Sequence, residues 1–150
     1  ADTQVGLEAV QKGDYKTVFK ELETFANAGD VEAQHLLGLM YQRGLGVKQD
    51  KFKAFEWFEK AANQGHAKAQ LVLGLMYKEG LGVKQDYFKA FEWYEKAANQ
   101  DNVDAQYLLG GLYYEGLGVR QSHSKAKEWF GKACDNRVSE GCKAYAELNN

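Results

Sequence analysis

The heptapeptide GLGVKQD stands at residues 44–50 and again at 80–86, and GLGVRQS follows at 116–122. The copies are 36 residues apart, and laying 27–62 over 63–98 gives about 26 identities in 36 positions. The stretch 99–134 follows the same pattern more loosely. Internal repetition with a period of about 20–50 residues marks a solenoid or similar array, in which each unit covers its apolar face with its neighbour. No other feature of the chain narrows its possible folds as far.

Each unit reads as two helices. In its first half Ala33, Leu36, Leu37, Met40 and Tyr41 fall at i, i+3, i+4, i+7 and i+8, one face of a helix, with Asp30 placed to cap it. In its second half Ala54, Trp57, Phe58, Ala61 and Ala62 have the same spacing. Asp50, Asp86 and Ser122 occupy the N-cap position of that helix in successive units. Trp57, Trp93 and Trp129 recur at one position and are expected in the core. Glu56–Lys60, Glu92–Lys96 and Glu128–Lys132 are i,i+4 pairs that mark a solvated side.

The glycine-rich segment admits two readings, a phosphate cradle or a hinge. A phosphate loop follows a strand, and its lysine leads directly into Ser or Thr. Here Lys48 precedes Gln49, and the flanks are helical in pattern. The hinge reading is therefore preferred. Gly44 ends the first helix in a left-handed conformation, Gly46 permits a second bend, and Leu45 and Val47 pin the loop to the core.

Other bounds come from composition. At 150 residues the chain is long enough for one domain with a real core. A net charge of −2 without a basic stripe argues against a nucleic-acid partner. No apolar run approaches the roughly 18–20 residues that span a bilayer. Proline is absent, in keeping with continuous helices.

The pattern Ala33-Gln34, Leu37-Gly38, Tyr41, Gly44-Leu45-Gly46-Val47, Asp50, Lys53-Ala54, Trp57, Lys60-Ala61-Ala62 resembles the Sel-one-like repeat, a relative of the tetratricopeptide repeat with a longer glycine-rich turn. It recurs with Ala69-Gln70 and Trp93, and with Ala105-Gln106 and Trp129. The resemblance implies an all-α fold, a right-handed α/α superhelix that serves mainly as a protein-interaction scaffold. The expected organisation over 1–150 is one domain: a truncated hairpin at 1–26, full repeats at 27–62, 63–98 and 99–134, and a closing helix within 135–150. That makes about four hairpins and a capping helix, since end repeats have no neighbour to cover them.

Cys134 takes the place of Ala62 and Ala98, and Cys142 that of Gln34, Gln70 and Gln106. In an antiparallel pair of helices these positions face each other across the turn. The segment KACDNRVSEGC is also similar to a secreted, cysteine-rich bacterial branch of the family, bridged at these positions. A disulfide is thus expected, the other reading being a reduced pair of small core residues. The opening ADTQVGLEA suits a mature secreted chain whose leader has been removed, the other reading being a trimmed start. A periplasmic or secreted location is expected.

That branch has been discussed as penicillin-binding, and SHSK at 122–125 matches S-x-x-K. Ser122, however, stands where Asp50 and Asp86 cap helices, Lys125 stands where Lys53 and Lys89 stand, and the companion S-D-N and K-T-G motifs are absent. No catalytic residue, metal ligand or cofactor is therefore assigned. His35, His66 and His123 fall at three different repeat positions without a second ligand at i+3 or i+4 and are read as surface or capping residues.

The expected function is non-enzymatic: binding of a protein or peptide partner, with no nucleic acid and no membrane insertion, by a chain read as a monomer. Family-like stacking places the varied residues beside the core stripe of each first helix on the concave surface. These are Glu32, His35, Leu39, Gln42 and Arg43; then Lys68, Leu71, Leu75, Lys78 and Glu79; then Asp104, Tyr107, Gly111, Tyr114 and Glu115. Leu71, Leu75, Tyr107 and Tyr114 form the expected apolar centre, with Gly111 opening space between the tyrosines. The rivals are β-lactam binding or hydrolysis at Ser122, and an architectural role through the outer face.

Overall fold

A computed structural model describes residues 13–149. Eight helices and no strand are found among them: α1 (Tyr15–Asn27), α2 (Val31–Arg43), α3 (Lys51–Asn63), α4 (Ala67–Glu79), α5 (Tyr87–Ala98), α6 (Val103–Glu115), α7 (His123–Asp135) and α8 (Ser139–Asn149). Their backbones pack chiefly on the helices next in sequence, as a one-dimensional array requires. The pairs α2–α3, α4–α5 and α6–α7 are the full hairpins, with α1 before and α8 after them. The first arm expected for the truncated hairpin falls on residues 1–12, outside the described residues.

The hinge reading of the glycine loop holds. Gly44, Gly80 and Gly116 end α2, α4 and α6 with φ of 69°, 69° and 71°, each as a left-handed C-cap. The Gln49 amide donates to the Gln42 carbonyl at 2.8 Å, and Gln85 and Gln121 repeat the bond to Lys78 and Tyr114. Asp50, Asp86 and Ser122 then cap the following helix by accepting from backbone N–H groups. The second loop glycine has a further duty. A Cβ on Gly82 would meet the Lys51 carbonyl of the preceding hairpin, and Gly46 and Gly118 make the same approach to Tyr15 and Tyr87. Each loop thus rests on the start of a second helix one unit back.

The core is built from alanines and one large ring per unit. Ala54, Ala61, Ala69, Ala90, Ala97 and Ala105 are fully buried. Phe58, Tyr94 and Phe130 press on Gly38, Gly74 and Gly110, where an added Cβ would stand 2.6, 2.5 and 2.7 Å from the ring. Successive units also meet through edge-to-face aromatic pairs, Phe19–Tyr41, Phe55–Tyr77 and Phe91–Tyr113, at 5.3–5.4 Å between centroids.

The tryptophans pack against the core, as expected, without being enclosed by it. Trp57, Trp93 and Trp129 are only half-buried. Lys60, Lys96 and Lys132 set their ammonium groups 4.4, 4.4 and 4.3 Å from the ring centroids, closing on the indole at i−3 rather than on the glutamate at i−4.

A second recurring device carries hydrogen bonds through the junctions between hairpins. Gln34, Gln70 and Gln106 lie buried on the core side of the first helices. Their amides donate back to the carbonyls of Ala26, Ala62 and Ala98 at 3.2, 3.2 and 3.4 Å. Their carbonyl oxygens accept from Gln64, Gln100 and Asn136 at 2.8, 2.8 and 3.1 Å. The buried amides are satisfied on both sides, so they add register at little desolvation cost.

Candidate functional site

The first helices α2, α4 and α6 carry the residues expected to line the groove. Leu71, Leu75 and Tyr107 are half-buried and packed against the core around Leu109 and Phe130. The Tyr107 ring lies 5.6 Å from that of Phe130, so it belongs to the fringe of the core rather than wholly to a free surface. Tyr114 is 44% exposed and stacks on His123 at 4.8 Å. Gly111 leaves open space, with nothing within 4 Å of where its Cβ would be. Around it Lys78, Tyr107, Leu108, Glu115 and Leu117 wall a small recess of about 140 Å³. Tyr107 and the leucines supply its apolar lining, and Lys78 and Glu115 its charged lining.

Further along, Glu32, Arg43, Lys68, Glu79 and Asp104 are exposed, while Leu39 and Gln42 are half-buried. His35 does not fit a surface or capping role. It is 7% exposed, with its ring 5.9 Å from Phe58 on one side and stacked on His66 at 4.5 Å on another. Burial, and then the neighbouring His66, hold its pKa down at about 4 against the pull of Glu32, with Lys68 adding to the depression. His66 does cap a helix: its Nδ1 accepts from the Ala69 N–H at 3.1 Å, and its Nε2 lies 3.0 Å from Glu32 Oε2. Candidate ligand atoms of Glu32, His35 and His66 all lie within 4.8 Å of one another. A search for ligand spacing within one helix misses this grouping, because His66 comes from the next hairpin. The signal that could have found it is the vertical alignment of the repeat, which puts His66 beside the first turn of the helix one unit back.

Cys134 and Cys142 are joined in a disulfide, with Cα atoms 4.4 Å apart, tying α7 to α8. Register explains the pairing. Cys134 stands where the carbonyls of Ala62 and Ala98 accept from glutamine, and Cys142 stands where those glutamines stand. The bridge replaces the recurring hydrogen bond at the junction beyond which no further hairpin is described. The S-x-x-K pair keeps the structural roles of its repeat positions. Ser122 Oγ accepts from the Lys125 N–H at 3.2 Å, and the Lys125 ammonium lies 5.6 Å from the Tyr113 centroid, as Lys53 and Lys89 lie over Tyr41 and Tyr77. No helix among the described residues is long and apolar enough to cross a membrane.

A family model described as the Sel1 repeat matches residues 31–66, 67–102 and 103–137. No curated protein gives a significant match. Among solved structures, the chain is similar to a Sel1 repeat protein from Oxalobacter formigenes, at 34% identity and a TM-score of 0.88 over 98% of this chain and 59% of that one. It is similar to a protective antigen of uropathogenic Escherichia coli strains displaying an SLR fold, at 39% identity and a TM-score of 0.80, over 82% of this chain and 26% of that one. Helicobacter pylori cysteine rich protein B matches at 29% identity and a TM-score of 0.65, over 84% of this chain and 96% of its own. The chain therefore spans less than two thirds of each of the first two relatives.

Proposed function

We propose, from the premise that this chain belongs to the Sel1 repeat family, that it is a non-enzymatic scaffold holding a protein or peptide segment in the groove around Leu71, Leu75, Tyr107 and Tyr114. The observation that carries the reading is the recess at Gly111. Unlike Gly110, which makes room for Phe130, Gly111 meets no packed ring, and an alanine there would favour the helix by about 1 kcal/mol. The open space instead offers a seat for one apolar side chain among Tyr107, Leu108 and Leu117, with Lys78 and Glu115 in its wall and the exposed Tyr114 on the same helix. An apolar centre with a charged rim is the usual composition of a binding hot spot. The disulfide is compatible with an oxidising compartment, and we place the protein in the periplasm or outside the cell.

The test fills the recess. Gly111→Leu places a side chain in empty space and strengthens helix propensity, so the variant keeps its fold. A partner captured from the native source, identified by mass spectrometry and then purified, should bind this variant at least tenfold more weakly than the wild type. Equal affinity for both proteins would move the binding site out of this groove. The filling substitution is preferred to Tyr107→Ala, which also removes the contact with Phe130.

A further inference from the structure

We propose that Glu32, His35 and His66 form a site for one divalent transition-metal ion of the zinc, cobalt or nickel class, joining two adjacent hairpins. Two imidazoles and a carboxylate are a donor set these ions favour, leaving a fourth position for water. The donor atoms are close enough already. Glu32 Oε2 lies 3.0 Å from His66 Nε2, and Glu32 Oε1 lies 3.9 Å from His35 Nδ1. Tetrahedral ligation at about 2.0–2.1 Å per bond sets donors roughly 3.3–3.5 Å apart. Rotations of the exposed Glu32 side chain and of the two stacked imidazoles, whose donors lie within 4.8 Å, cover the difference.

An independent observation points to a ligand. The His35 side chain is 9% exposed, and its Nδ1 has no hydrogen-bond partner although it faces Glu32. Buried polar atoms are seldom left so, because the desolvation is then uncompensated. Repeat register adds a second argument. The His35 position holds Leu71 and Tyr107 in the next units, and the His66 position holds Asp30 and Asn102, which cap their helices in the same way. The fold needs histidine at neither place. Lys68 is the nearby cation, and it is exposed, where solvent screens its repulsion of an ion.

The geometry fixes what binding does to the protein. With Nδ1 accepting from Ala69, the neutral His66 ring carries its proton on Nε2 and donates it to Glu32. An ion at Nε2 displaces that proton, which moves to the Nδ1 lone pair, with none released. The cap on the Ala69 N–H is then given up. Metal binding therefore clamps α2 to the start of α4 and uncaps α4 in the same step.

The experiment titrates ZnCl2 into the untagged, oxidised chain by calorimetry, with CoCl2 absorption as a second probe and amide NMR as a third. One ion per chain is expected, with the Ala69 amide resonance shifted on loading. His35→Leu and His66→Asn copy residues from other units and so retain packing and cap; each should weaken binding at least tenfold. His123→Ala, away from the cluster, should bind as the wild type does. Absence of saturable binding in the wild type would overturn the proposal. So would undiminished binding by His35→Leu and His66→Asn, or resonance shifts gathered around His123 instead of Ala69.

Discussion

Replacing the terminal disulfide by the chain's own hydrogen bond isolates what that bridge contributes. Cys134 and Cys142 are eight positions apart and close a loop of about nine residues. The loop-entropy relation gives roughly 2.6 kcal/mol for such a closure at 25 °C. That corresponds to about 80-fold in the opening equilibrium of α8. Cys134→Ala with Cys142→Ala should therefore lower the hydrogen-exchange protection of the α8 amides by about that factor. Cys134→Ala with Cys142→Gln recreates the pair used at the two preceding junctions, where Gln70 and Gln106 donate to the carbonyls of Ala62 and Ala98. One buried hydrogen bond is worth about 1 kcal/mol, so this variant should recover roughly fivefold of the protection. Amide exchange read by mass spectrometry on non-reduced protein resolves the three proteins. If the glutamine variant exchanges as fast as the double alanine, the bridge and the hydrogen bond are not interchangeable solutions to one junction. If the double alanine matches the wild type, α8 is held by its packing alone.

Two further substitutions test the stacking. Gly82→Ala puts a Cβ at φ +71°, costing about 1–2 kcal/mol, and drives it to 2.8 Å from the Lys51 carbonyl carbon; a loss of at least about 2 kcal/mol in urea unfolding is expected, and a change under 0.5 kcal/mol would remove the loop from the inter-unit contact. Tyr94 is fully buried with its hydroxyl unpartnered, and burial raises its pKa, with Glu79 adding to the rise. Tyr94→Phe copies Phe58 and Phe130 and should leave stability unchanged or raise it by up to about 1 kcal/mol; a loss above 1 kcal/mol would mean that the hydroxyl has a partner in solution.

The helical hairpins were legible because their signals are local. Apolar spacing, a capping side chain and a left-handed glycine each act within a few residues, and each recurs every 36 positions. What the sequence hid depends on contacts between units. The glutamines at 34, 70 and 106 stood out only as repeated letters, since their acceptors lie across a hairpin junction. Recurrence alone also overstated burial. The tryptophans recur in one setting, packed on the core by one side with a lysine cation over the ring, so a repeated residue marks a repeated contact rather than full enclosure.

Positions that do not recur carry the complementary information. The slot occupied by His35, Leu71 and Tyr107 has one backbone environment in three successive first helices, each on the half-turn facing the large core ring. Packing accepts a half-buried leucine or tyrosine there, so packing alone leaves the choice among side chains open. What differs between the units is the surroundings of the slot. In the first, a histidine cap and a glutamate converge on it. In the third, Gly111 opens space next to it and an exposed tyrosine stands on the same helix. On the two proposals made above, the same scaffold position serves ion ligation in one unit and an apolar side chain of a partner in another. A repeat protein can diversify in this way because each unit contacts only its neighbours, so a change of chemistry in one slot leaves the stacking of the rest intact.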